Sequence, residues 1–117
     1  MNFDIIREYV LKKRHATEGQ PFGDSVLVYK VLDKMFMMMN FELPTEINLK
    51  CDPEHAIELR EWYDAVLPGY HMNKTHWNTV IIDNTIPPKE IFKMIDDSYD
   101  LIVKAFSKIK REEFLKD

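Results

Sequence analysis

The chain is poor in cysteine and in glycine, and has no excess of positive charge. Its single cysteine, Cys51, rules out an internal disulfide and fits a reducing compartment. Three glycines in 117 residues leave little irregular backbone, and none of them forms a Gly-rich phosphate loop. Sixteen Lys and Arg stand against twenty Asp and Glu, a net charge of -4. That balance excludes a protein that coats nucleic acid through a general positive field, so any such binding must be local. The apolar segment Met35-Phe36-Met37-Met38-Met39 is far too short to cross a bilayer, which takes about 20 residues. No basic stretch followed by an apolar one follows Met1-Asn2-Phe3-Asp4, so no secretory signal is visible. The expectation is a cytoplasmic protein with no membrane partner. Its length and 45% hydrophobic content predict a single domain over 1–117 with one core.

Periodicity then sets the element order. Phe3, Ile6 and Val10 share one helical face, with Asn2 as N-cap, and predict a helix over 3–14. A loop follows around Gly19, Pro21 and Gly23. Residues 25–31 and 35–41 are β-branched, aromatic or Met-rich and read as a hairpin joined by Leu32-Asp33-Lys34. Strict alternation from Glu46 to Cys51 predicts a half-buried strand with Ile47, Leu49 and Cys51 inward. Asp52-Pro53-Glu54 starts a helix to about Tyr63, with Ala56, Leu59 and Trp62/Tyr63 on its inner face. A second hairpin is expected over 66–72 and 76–82. Pro87-Pro88 opens a long helix whose positions 91, 94, 95, 98, 102, 105, 106 and 109 keep helical spacing. The fold class is therefore α+β: a two-layer, mostly antiparallel five-stranded sheet with helices on one face, in the order α-β-β-β-α-β-β-α. The other sheet face must stay open or find a partner.

The stretch from Pro68 to Thr79 concentrates two His, two Asn, a Lys, a Tyr and a Trp. A segment built only for burial would carry fewer donors, because each buried unpaired polar group costs about 1–3 kcal/mol. This stretch marks a site without naming a reaction. Together with Ile47 through Glu54, Pro21-Phe22-Gly23, Lys34-Met35-Phe36 and Ser98 through Leu101, the run Gly69-Tyr70-His71-Met72-Asn73-Lys74 followed by His76-Trp77-Asn78-Thr79 resembles the MmcQ/YjbR family over nearly the whole chain. The resemblance implies a compact α+β fold similar to type III secretion chaperones. It also implies a label of DNA-binding protein, resting on a pair of wing-like loops, and no set of catalytic residues. The first hairpin departs from the pattern by carrying Leu32-Asp33 where relatives often show glycine, and Phe106-Ser107 stands where a proline is common.

For a nucleic-acid contact, the candidate residues are Lys50, Arg60, His71, Asn73, Lys74, His76 and Asn78, with Lys and Arg on phosphates and Asn on a base edge. Tyr70 and Trp77 are aromatic anchors. The competing reading makes 73–75 a solvated hairpin tip and has Asn78 satisfy backbone groups. His71 and His76, five apart, would converge on a metal only through the turn between them, and neither Asp64 nor Asp83 has a telling spacing as third ligand. Cys51 precedes a helix start, which favours a thiolate, yet it shares the inward face with Ile47 and Leu49, which favours a buried small hydrophobe. No paired-carboxylate or nucleophile-elbow signature is present, and neither an enzyme nor a cofactor is called for. The leading expectation is a DNA-binding protein acting through its hairpin loops. The alternative is a small protein- or ligand-binding adaptor, or a homodimer, using the open Met-rich sheet face.

Overall fold

Strict alternation in the sequence becomes one sheet with two unlike faces. A computed structural model describes residues 1–70 and 72–116. Among them run α1 (Phe3–Leu11), β1 (Ala16–Gly19), β2 (Val26–Val31), β3 (Lys34–Asn40), β4 (Glu46–Lys50), α2 (Pro53–Trp62), β5 (Val66–Pro68), β6 (Trp77–Ile81), α3 (Pro88–Lys104) and α4 (Lys108–Leu115). The strands form one antiparallel sheet in the order β1-β2-β3-β4-β6-β5. Leu27, Tyr29, Met37, Met39, Ile47, Leu49 and Val80 lie in register on the helix-covered face and are buried. There α3 crosses β2, β3 and β4, while α2 packs on β5 and β6 and α1 on β1.

Helix α1 ends at Leu11 rather than near 14, and β5 at Pro68 rather than near 72; two other elements differ more deeply from the sequence expectation. The sheet gains a sixth strand, β1, in the segment read as a loop. It is held by Tyr29, whose hydroxyl donates 2.7 Å to Glu18 Oε2, and by Arg7, which grips the same carboxylate from α1 through two hydrogen bonds. The hydrogen bond from Arg7 holds the Glu18 carboxyl below its ordinary range. The long C-terminal helix also breaks into α3 and α4. Phe106 turns into the core, and Ser107 caps the new helix by accepting from Lys110 N–H at 3.2 Å. Trp62, expected on the inner face of α2, is instead 60% exposed and lies edge-on to His55, while Tyr63 is half-buried. The chain leaves the helix at Tyr63 and turns into β5, with Val66 N–H donating to Tyr63 C=O, so Trp62 remains on the solvent side.

Strands β2 and β3 join through Leu32 and Asp33, both in the left-handed region, at φ 45° and 68°. Positive φ at both central residues is the two-residue turn that matches strand twist, normally the place for Asn and Gly. The glycine-type turn is thus kept without glycine. Lys110 Nζ donates 2.7 Å to Leu32 C=O and ties the tip to α4.

Just inside this hairpin the pairing slips. Tyr29 opposes Met37 and Lys30 opposes Met35, so Phe36 is an extra residue, and both Phe36 and Met37 face the core. On the other side of β3, Met37 pairs with Leu49, which places Phe36 next in register opposite Lys50. No direct bond forms there. The hydroxyl of Ser98, wholly buried on α3, accepts from Lys50 N–H at 2.9 Å and donates to Phe36 C=O at 2.6 Å. It stands between two backbone groups that would otherwise have to find each other. Ser98→Ala is expected to lower the unfolding free energy by about 1–3 kcal/mol, the cost of stranding such groups. This would be read as a lower urea midpoint at unchanged slope. An unchanged midpoint would mean that the strands close up and pair directly once the hydroxyl is gone.

Candidate nucleic-acid interface

Register places the second hairpin loop beside the first. Lys34 begins β3, Lys50 ends β4 and pairs with Trp77, and Trp77 begins β6. The 32–33 turn and the 69–76 loop therefore lie at the same end of the sheet. The loop is fixed largely from within. Asn73 Oδ1 accepts from Thr75 N–H at 2.9 Å, its carbonyl accepts from the amides of His76 and Trp77, and His76 C=O receives Cys51 N–H at 2.8 Å. Where β5 meets β6, Gly69 N–H donates to Trp77 C=O, and a Cβ on residue 69 would lie 2.9 Å from both Trp77 Cβ and that oxygen. Only glycine fits this approach.

The predicted site residues divide into groups. Arg60 and Lys74 come together: Arg60 Nε donates to Ala56 C=O and its terminal nitrogen to Lys74 C=O at 3.3 Å, so Arg60 braces the loop from α2. Lys74 Nζ sits 5.2 Å from the ring centroid of the exposed Tyr70, a cation–π contact. Asn73 and His76 are exposed on the same loop, and Trp77 is half-buried at its foot. Asn78 is separate. It is 2% exposed, and its amide nitrogen donates 3.3 Å to Ala56 C=O. Of its two readings, the structure shows the backbone-satisfying one. Asn78 Oδ1 has no partner among the described residues and borders a cavity of about 10 Å³ between the sheet and α2. His71 lies outside the described residues. Among the described residues no three His, Cys, Asp or Glu side chains gather as a metal set.

Lys50 belongs to a different cluster, one that the sequence did not reveal. Together with Lys34 and Lys110 it lines a concavity of about 500 Å³ whose walls are Ile102, Ala105 and Phe106 and whose rim carries Ser107. No carboxylate lines it. None of the three lysines has an ion-pair partner among the described residues. Ser107 caps α4, so the positive end of that helix dipole adds to the lysine field. In a chain of net charge -4, three unpaired ammonium groups around one hollow are a local excess of positive charge. Lys34 was legible only as part of a hairpin turn, and Lys110 only as part of a solvated basic run. What joins them to Lys50 is the β2–β3 turn and the break between α3 and α4.

Cys51 is 7% exposed. Burial first, then the carboxylates of Asp97 and Asp52, push its thiol up from 9.0 to about 11. The helix start therefore does not make a thiolate here. Because the folded value lies above the unfolded one, the associated stability is complete below about pH 9 and is lost as pH rises toward 11. In a neutral buffer, iodoacetamide should alkylate the native thiol at least about 100-fold more slowly than that of the urea-unfolded chain. Comparable rates would show that the site is open.

The model of the YjbR family matches residues 11–101. The uncharacterised protein YjbR of Escherichia coli K12 is 31% identical over 113 residues, covering 96% of each chain. The uncharacterised protein YyaQ of Bacillus subtilis is 44% identical over 88 residues, 75% of this chain and 71% of that one. Among solved structures, Deinococcus radiodurans protein DR2400, a DUF419 domain, superposes with a TM-score of 0.90 at 37% identity, over 97% of this chain and 87% of its own. A Pseudomonas syringae protein superposes with a TM-score of 0.76 at 28% identity, over 86% of this chain and 98% of its own.

Proposed function

The chain belongs to the YjbR family, and on that footing we propose that it binds nucleic acid through the phosphate backbone, with the lysine-lined hollow as its anchor. The observation that carries the reading is the set of unpaired ammonium groups of Lys34, Lys50 and Lys110 around one acid-free concavity, at the sheet end where both hairpin loops lie. A phosphate there meets charge and N–H donors with no competing carboxylate among the residues that line the hollow. At the same end of the sheet the 69–76 loop carries Lys74, which lies against α2 beside Arg60, and the exposed Asn73 and His76. Tyr70, 60% exposed, offers a ring on which an unstacked base can lie. Arg60 is a positioning residue in this arrangement, because it holds the loop and helix carbonyls in place.

The small number of cations sets the magnitude. Three to four neutralised phosphates give a salt slope of about -2.7 to -3.6, a loss of roughly 40- to 150-fold in affinity between about 50 and 200 mM salt. Fluorescence anisotropy with labelled single-stranded and duplex DNA across a salt series checks this. Lys34→Gln and Lys50→Gln should each weaken binding to all sequences alike and flatten the slope by about 0.9. Lys12→Gln, whose ammonium is paired with Glu8 on the exposed side of α1, should leave it unchanged. No binding at about 20 mM salt, or full affinity in the doubly substituted chain, overturns the reading.

A further inference from the structure

The sheet face opposite the helices carries a second concavity, of about 430 Å³, which runs along β3 from Met35 to Asn40 and reaches Glu46 and Asn48 on β4. Its floor is built from Val26, Met35 and Met38 on that face, Met38 opposing Val28 between the pair of Val26 with Asn40 and the pair of Lys30 with Met35. Phe22 and Met72 line it from two loops, and Phe22 is 71% exposed. The volume lies in the range of ordinary small-molecule sites, about 300–1,000 Å³, and the lining is mostly apolar with a few polar groups, as such sites are.

The polar groups are specific. Glu46 is the one ionised side chain among the described residues that line the cavity, and it has no ion-pair partner among the described residues. Asn48, only 3% exposed, is locked in orientation because Thr79 Oγ1 donates 2.6 Å to its Oδ1. Its amide N–H₂ group has no partner among the described residues and lines the same cavity. A carboxylate without a counter-ion, an exposed phenyl ring and three thioethers suit an aromatic body bearing a protonated nitrogen: carboxylate and ring both attract the cation, and thioether sulfur packs well on aromatic edges.

We propose that this open sheet face is a small-molecule site for an aromatic amine, with the ammonium held by Glu46 against Phe22 and the ring seated on Met35 and Met38. The site is separate from the lysine hollow, since the two share no lining residue. Either surface can therefore fail without the other.

Isothermal titration calorimetry with tryptamine, its neutral isostere tryptophol and the anion indoleacetate tests the assignment. Tryptamine is expected to bind saturably and about tenfold more tightly than tryptophol, the gain of a charge-assisted over a neutral hydrogen bond, and indoleacetate not to bind. Glu46→Gln should bring tryptamine down to the level of tryptophol. Met38→Lys, which places a cation on the cavity floor, should abolish binding of both, with the circular dichroism spectrum reporting that the variant is folded. Neither substitution should alter anisotropy with DNA. Equal binding of all three probes, no saturable heat with any of them, or an unchanged amine preference in Glu46→Gln overturns the proposal.

Discussion

The architecture turns on one hydroxyl. Ser98 Oγ occupies the place of a ladder bond between β3 and β4, accepting from Lys50 and donating to Phe36. The bulge at Phe36 turns two consecutive apolar side chains into the core, and the register change it imposes is tolerable only if the freed backbone groups are paired. Ser98 pairs both and so fastens α3 to the sheet at this level. From that fixed point follow the outward end of α3, the wall of Ile102, Ala105 and Phe106, and the position of Lys50 at the lip of the hollow. The anchor for the candidate anion site is therefore a buried neutral group, which suits a surface whose charged members must stay free for a ligand.

Charge is distributed along the sheet in the same spirit. Strand β4 carries Lys50 at one end and Glu46 at the other, and each borders its own concavity. Between them on the uncovered face runs the row Val28, Met38, Asn48, Thr79 and Leu67, apolar at its margins and bridged in the middle by the Thr79 to Asn48 hydrogen bond. A buried polar group is costly unless satisfied, and here the Thr79 hydroxyl serves Asn48 Oδ1 while the Asn48 amide nitrogen is left to the cavity. The net charge of -4 thus conceals two local fields of opposite sign, each confined to a hollow.

Much of this was legible where a single strand or helix carried its own signal. The alternation from Glu46 to Cys51 gave β4 and the burial of Ile47, Leu49 and Cys51, and Asp52-Pro53-Glu54 gave the start of α2. What stayed hidden depends on partners distant in sequence. Strand β1 has one β-branched residue in four and exists because Tyr29 and Arg7 both seek Glu18. The break after α3 follows from Phe106 finding the core, which helical spacing alone reads as continuation. The site divides in the same way. The 69–76 loop was dense enough in polar residues to be noticed, whereas Lys34, Lys50 and Lys110 lie far apart in the chain and share no local pattern. Asn78 shows the reverse case, a residue conspicuous in the motif whose side chain belongs to the interior.

Lys110 links stability to the candidate site. Its ammonium holds Leu32 C=O and lies 5.8 Å from the centroid of the Phe106 ring, so it braces a turn in which Leu32 and Asp33 both take left-handed backbone. Such a conformation costs roughly 1–2 kcal/mol per residue, and a hydrogen bond to a charged donor returns about 1.5–3. The two are of one size, so the turn is held by the lysine rather than by its own sequence. An ammonium has three N–H donors, and the Leu32 carbonyl takes one. The remaining two stay available to an anion in the hollow, and a phosphate bound there need not compete with the turn for the lysine. Structural bracing and anion binding can therefore reside in the same side chain, which lets a chain with so few spare cations place one of them at the rim already oriented.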